Sequence, residues 1–247
     1  MKIDAILTPG DVLNREKINR NRNAVVVDVL RVCTTIVQAL SSGAQKIFPT
    51  LTVNEVFEKK KRILESGVPA NNIILGGERG GIRVEGFDLG NSPREYTREE
   101  VDGKIIIISS TNGTKAIKRS ETAACIILGT IRNAGAVAKF LARDGRDVVF
   151  YLSGKEGEFS LEDAVGAGMI IKHLSAQTEI QMTDSSNMCM NLYEKYRDDL
   201  IGMFKKSVHG QYLISIGFEK DLYLCADENK SGIVPFVDID GYIMRKE

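Results

Sequence analysis

Short runs of β-branched residues alternate along this chain with longer stretches in which apolar positions recur every three or four residues. Residues 24–28 (AVVVD), 105–108 (IIII), 124–128 and 148–152 are apolar at successive positions. Strands built from them must be covered on both faces, as in a buried parallel sheet. Between these runs, residues 35–40, 53–64, 134–141 and 161–174 carry helical spacing, and Val53, Val56, Phe57, Lys60 and Leu64 fall on one face of the second. The small residues Ala164, Gly166, Ala167 and Gly168 predict that the last of these helices lies close against the sheet. Strands alternating with helices predict a three-layer α/β/α fold with a largely parallel, mixed sheet and right-handed connections. The site is then expected at the carboxyl ends of the strands.

The final third has a different pattern. Residues 184–206 read as an amphipathic helix, residues 221–226 and 233–237 as strands, and a turn at Asp240-Gly241 returns the tail as a hairpin. One α/β domain over residues 1–247 accounts for this order, with a C-terminal subdomain from about residue 180 as the other division.

Composition narrows the partners. Thirty-three basic residues balance 33 acidic ones, which disfavours nucleic acid as the main ligand but allows a small polyanion in a locally positive pocket. There is no run of roughly 18 apolar residues, so no membrane-spanning helix is expected. The opening MKIDAILTPG passes from a short apolar strand into a turn, without the apolar core of a signal peptide. Cys33, Cys125, Cys189 and Cys225 are scattered and form no CxxC pair, against both a disulfide framework and structural zinc. A cytoplasmic protein is expected, and homo-oligomerisation is left open.

The candidate chemistry sits in loops. Residues 76–96 read GGERGGIRVEGFDLGNSPREY, with six glycines, Glu78, Arg79, Asp88 and an Asn91-Ser92-Pro93 turn. This composition predicts an exposed loop whose backbone N–H groups and charges converge, as anion and metal sites require. An ordinary turn-rich surface loop is the competing reading. Asp28 ends the first apolar run and is followed by Arg31 and by Cys33, Thr34 and Thr35 at a helix start. A carboxylate held there suits a magnesium ligand or a phosphoryl-accepting nucleophile, and capping of the helix is the alternative. Leu30 stands where a haloacid-dehalogenase phosphatase needs its second Asp. Ser109 to Thr114, after the IIII run, turn small hydroxyls and a helix N-terminus toward an anion, or simply cap that helix. After the fourth strand come Ser153, Gly154 and Lys155, then Ser160 with Asp163 in a near capping box. Glu162 or Asp163 could face the crevice instead, as a metal ligand or general base. Cys33 reads as a packed thiol rather than a nucleophile. His209 reads as structural unless the C-terminal part carries it to the site.

Together VVVDVLRVCTTIV, ILGGERGGIRVEGFDLGNSPREY, SSTNGTKAI and FSLEDAVGAG resemble the 2-phosphosulfolactate phosphatase family, with weaker matches at His209, Gly217, Cys225-Ala226 and Val234-Pro235. Val32-Cys33 and Ser109-Ser110 depart from the family pattern while keeping size or hydroxyl character in part. The resemblance implies an α/β fold of the family's own. It also implies magnesium-dependent hydrolysis of 2-phosphosulfolactate to sulfolactate and phosphate, a step toward coenzyme M in methanogens. Such a substrate carries phosphate, sulfonate and carboxylate.

Combined with the residue chemistry, this gives a catalytic set of Asp28, Arg31 and Glu162 and a magnesium set of Asp28, Glu78 and Asp88. The substrate-binding set is Arg31, Thr34, Thr35, Arg79, Asn91, Ser92, Ser110, Thr111, Asn112, Gly113 and Thr114. Arg31 and Arg79 suit a bidentate grip on carboxylate or sulfonate. The rivals are a non-catalytic binder of sulfonated or phosphorylated metabolites, and an isomerase or lyase using the same anion sites.

Overall fold

The structure, a computed structural model, describes residues 1–10 and 21–246. In chain order the elements are β1 (Lys2–Ile6), β2 (Asn23–Val27), α1 (Val32–Ser41), β3 (Lys46–Thr50), α2 (Val53–Glu65), β4 (Ile73–Arg79) and β5 (Ile82–Arg83). Then follow α3 (Arg98–Val101), β6 (Ile105–Ser109), α4 (Gly113–Arg119), β7 (Cys125–Gly129), α5 (Ala134–Asp144), β8 (Val148–Leu152) and α6 (Leu161–Ser175). The remainder is β9 (Gln181–Met182), α7 (Asp184–Tyr196), α8 (Leu200–Lys206), α9 (Val208–Ser215), α10 (Glu219–Ala226), β10 (Pro235–Val237) and β11 (Ile243–Arg245).

The fully apolar strands are apolar because each feeds two cores. In β2, Val25 and Val27 join a core with α5, α6 and α7, while Ala24 and Val26 join another with α1 and α4. β6 divides the same way: Ile106 and Ile108 face α1, and Ile105 and Ile107 face α2. Helices therefore cover both faces of the sheet, as the alternation of elements predicts.

The sheet order is β5-β4-β6-β3-β11-β10-β7-β2-β8-β1-β9. β4, β6 and β3 form one parallel block; β7, β2, β8 and β1 form the other. Between them lies the antiparallel C-terminal hairpin, β10 pairing with β7 and β11 with β3. Three antiparallel pairings in succession make the two blocks run in opposite senses. In a flat sheet the carboxyl ends of β2 and β6 would then lie at opposite edges. They meet because the sheet twists and wraps around α1, whose core draws on both blocks, from Val26 and Val149 to Ile47 and Ile106.

Four local readings need correction. Residues 76–79 are not part of a loop but lie in the buried strand β4. Glycine is needed there for close approach: a Cβ on Gly77 would collide with the backbone carbonyl of Ser109 on β6. Residues 221–226 form helix α10, not a strand. Leu222 and Cys225 are both buried in one core, and a spacing of three shares a face only in a helix. Residues 184–206 form two helices, with Asp199 capping the second by accepting the Gly202 N–H at 2.8 Å. In α2 the buried residues are Val56 and Ile63, whereas Phe57 and Leu64 are exposed.

Two other expectations hold. The Asp240-Gly241 turn closes the β10–β11 hairpin, with the Asp238 carboxylate accepting the N–H of Asp240 and Tyr242. The small residues of α6 do permit close packing: a Cβ on Gly166 would stand 2.7 Å from Val29, and one on Gly168 would collide with α7. No helix among the described residues is long and apolar enough to cross a membrane.

Candidate active site

Two cavities bear comparison. The larger, about 710 Å³, lies between α4, β3 and the C-terminal hairpin, with a mainly apolar wall that includes Phe48, Ile117, Ile126 and Val237. The smaller, about 100 Å³, opens where β2, β4 and β6 end, and there the chemistry converges: Asp28, Arg31, Glu78, Asn91, Ser110 to Asn112, Lys155 and His209 all line it. A site needs convergent polar groups more than volume, which selects the smaller cleft.

Asp28 follows directly on β2 and is buried. Its Oδ1 accepts the Val32 N–H at 3.1 Å, so it caps α1, while no described residue donates to Oδ2. Burial pushes its carboxyl up to about 6, with Glu78 and Glu162 adding to the rise and His209 and the Val32 N–H opposing it. Such a group takes up a proton readily or welcomes a cation. The first residue of α4 packs against it, and a Cβ on Gly113 would stand 2.6 Å from Oδ2.

Glu78 staples the cleft together. Its Oε1 accepts the Thr111 N–H at 2.7 Å and its Oε2 the Gly81 N–H at 2.8 Å. Thr114 N–H is held by Ser110 Oγ at 3.3 Å, and Thr114 Oγ1 donates to the Ser110 carbonyl at 2.8 Å. The N–H groups of Asn112 and Gly113 have no acceptor among the described residues; Asn112 lines the cleft, whereas Gly113 and Thr114 are buried behind its wall.

On the far wall, Arg31 donates to Asp221 Oδ2 and to the Gly81 carbonyl, each at 2.8 Å. Asp163 lies behind, its two oxygens accepting the Val29 and Gly154 N–H groups at 2.8 and 3.1 Å and its own N–H held by Ser160. Burial, together with Asp28 and Glu162, raises its carboxyl well above the usual range. Glu162 is equally buried but off the cleft wall. Its Oε1 has no hydrogen-bond donor and lies 3.5 Å from His209 Nδ1.

Several expected residues serve elsewhere. Arg79 does not reach the wall; its guanidinium is spent on the Glu78 and Leu51 carbonyls and Ser109 Oγ. Asp88 is exposed and accepts the Leu75 N–H at 2.8 Å, fastening a loop to the edge of β4 rather than joining the acidic group of the cleft. Thr34 bonds to the Val29 carbonyl and Thr130, Thr35 to the carbonyls of Arg31 and Asn91, and Ser92 to Asp221 Oδ1. These side chains support the wall without lining it. Cys33 is buried, 3.6 Å from the Val26 carbonyl, and burial raises its thiol well above the usual range.

Sequence reasoning missed Asp221 and Tyr212 and gave Lys155 no task. The helical spacing of Asp221, Leu222 and Cys225 was the available signal.

For a divalent cation the donors fit, though no ready-made cage of three or more acidic, His or Cys ligands occurs among the described residues. Asp28 Oδ2 is unused, and the buried Asn91 Oδ1 has no donor. Hard oxygens of this kind, few in number, suit magnesium, which keeps water and substrate oxygens for its other positions.

A sequence profile described as 2-phosphosulpholactate phosphatase matches residues 6–239. Relatives bearing the name "Probable 2-phosphosulfolactate phosphatase" include one from Carboxydothermus hydrogenoformans, 44% identical over 95% of this chain and 92% of the relative. One from Clostridium acetobutylicum is 39% identical, covering 95% of this chain and 97% of the relative. One from a Synechococcus species is 41% identical over 86% and 87%.

Proposed function

Since the chain belongs to the 2-phosphosulfolactate phosphatase family, we propose that it hydrolyses 2-phosphosulfolactate to sulfolactate and phosphate with the aid of magnesium, the type of step that leads toward coenzyme M. The observation that carries this reading is the single cleft in which a buried, proton-avid Asp28 faces Arg31 and the turn from Ser110 to Asn112.

Asp28 and Asn91 would hold the magnesium ion. When bound, it supplies electrostatic stabilisation of charge developing on the phosphoryl oxygens. The Asn112 N–H and the Ser110–Thr111 turn orient the phosphate, and Arg31 holds the carboxylate or sulfonate in its planar fork. Water attacks phosphorus in line with the ester oxygen. The bond from phosphorus to that oxygen breaks, and the departing alkoxide takes a proton from His209 Nε2. Glu162 lies 3.5 Å from the opposite ring nitrogen and orients the ring. The proton lost by the attacking water passes to solvent, and solvent returns one to His209 Nε2 for the next turnover. Lys155 and Glu156 close the cleft mouth beside Tyr212.

The test is release of inorganic phosphate from 2-phosphosulfolactate, with magnesium and with excess chelator. Magnesium-dependent release at a kcat of roughly 1 s⁻¹ or more supports the assignment. Tight binding of the ester with no phosphate released would instead make the protein a binder.

A further inference from the structure

We propose that Asp221 is a positioning residue that fixes the Arg31 guanidinium for a non-phosphate acidic arm of the substrate, so that the C-terminal helices take part in substrate selection. The inference rests on Arg31 being the grip for that arm.

The geometry is a clamp assembled from three separate segments. Arg31 Nη1 is 2.8 Å from Asp221 Oδ2, Nη2 is 2.8 Å from the Gly81 carbonyl, and the Phe218 ring lies under the guanidinium carbon at 4.4 Å. Both charged side chains are about 98% buried or more, the Arg31 side chain at 2% exposure and that of Asp221 at 1%. Asp221 is fixed in turn, because its Oδ1 accepts the Ser92 hydroxyl at 2.7 Å. The opposite jaw is also held from the C-terminal part, where Tyr212 Oη donates to the Gly80 carbonyl at 2.8 Å.

Asp221 does not reach the cleft wall, whereas Arg31 does. A guanidinium carries five N–H donors, and two bonds leave the others for a ligand. A free arginine loses considerable rotamer entropy on gripping an anion, and a prepositioned one loses little. A buried ion pair is weak evidence for stability in itself. Placed directly behind a wall-lining arginine, its consequence is preorganisation.

The experiment compares Asp221→Asn, Ser92→Ala and Arg31→Lys in the full-length protein, using 2-phosphosulfolactate and two analogues, one lacking the sulfonate and one lacking the carboxylate. Asp221→Asn is expected to raise KM for the parent ester about 10- to 100-fold, the scale of a lost charge-assisted contact, with kcat held within roughly three-fold. Ser92→Ala should move KM the same way by less. For the analogue missing the arm that Arg31 grips, identified with Arg31→Lys, the KM effect of Asp221→Asn should disappear.

An equal fall in kcat for all three substrates with KM unchanged would mean a merely structural role and overturn the proposal. If Arg31→Lys raises KM while Asp221→Asn and Ser92→Ala do not, positioning is overturned and the grip stands. If Arg31→Lys leaves KM unchanged, the grip falls and the proposal with it. Should Asp221→Asn fail to fold, Ser92→Ala decides: a KM rise for the parent but not for the analogue lacking the gripped arm supports positioning, and no rise overturns it.

Discussion

The α carbon of Gly113 lies so close to Asp28 that a Cβ there would stand 2.6 Å from Oδ2 and would also collide with Val32. Neither neighbour can yield cheaply, since both are buried and Val32 is β-branched and stiff. Gly113→Ala should therefore push α4 away from Asp28, destabilising the protein by about 1–3 kcal/mol and lowering kcat/KM at least ~100-fold. Urea unfolding and steady-state kinetics on the same preparation check both figures.

Asp28→Asn should separate activity from stability. Turnover is expected to fall at least ~100-fold, the scale for removing a preorganised charge partner. Burial pushes the folded carboxyl up to about 6, above its ordinary value of 3.8. Its favourable contribution is therefore complete below that ordinary value and lost as pH rises through about 6. At pH 8 without magnesium, replacing the ionised carboxylate by a neutral amide should stabilise the fold by about 1–3 kcal/mol. At pH 4.5 the gain should shrink. Denaturant titrations at the two pH values measure it, and a variant less stable at pH 8 would contradict the electrostatic reading of the cleft.

Magnesium itself should raise the thermal midpoint of the wild-type protein at pH 7.5, by an amount equivalent to about 2.7 kcal/mol at 100 times its dissociation constant. Chelator should reverse the rise and abolish phosphate release. In Asp28→Asn the midpoint should not respond.

Asp88→Asn and Arg79→Lys test the side chains that the fold directs away from the cleft. Both should keep kcat/KM within roughly five-fold of wild type, and Asp88→Asn should destabilise by about 0.5–1.5 kcal/mol through its weakened bond to Leu75. Loss of the magnesium response in Asp88→Asn would place that carboxylate among the ligands after all.

Cys33, Cys189 and Cys225 are buried and Cys125 is partly exposed; burial raises all four thiols, that of Cys189 up to about 12, so access decides which one reacts. Iodoacetamide should label only the half-buried Cys125 in the native protein, and activity should survive. Mass spectrometry of the labelled peptides gives the answer.

The layered α/β architecture was legible in the residues alone, because burial on both faces leaves an uninterrupted apolar run in each central strand. Val25 and Val26 enter different cores, and both must be apolar. So was the placement of Asp28 and the Ser110–Asn112 turn at strand ends, since each immediately follows such a run. Which loops meet was another matter. Arg79 and Arg31 look equivalent in sequence, yet Arg79 is claimed by the adjacent Glu78 carbonyl and by Leu51 and Ser109, 28 and 30 residues away, while Arg31 is directed into the cleft by Asp221, 190 residues away. The reversal of the two parallel blocks depends on a C-terminal hairpin inserting between β3 and β7. Periodicity records how each segment is buried, but not which distant segment buries it. Those long-range partners are set when the distant segments pack together.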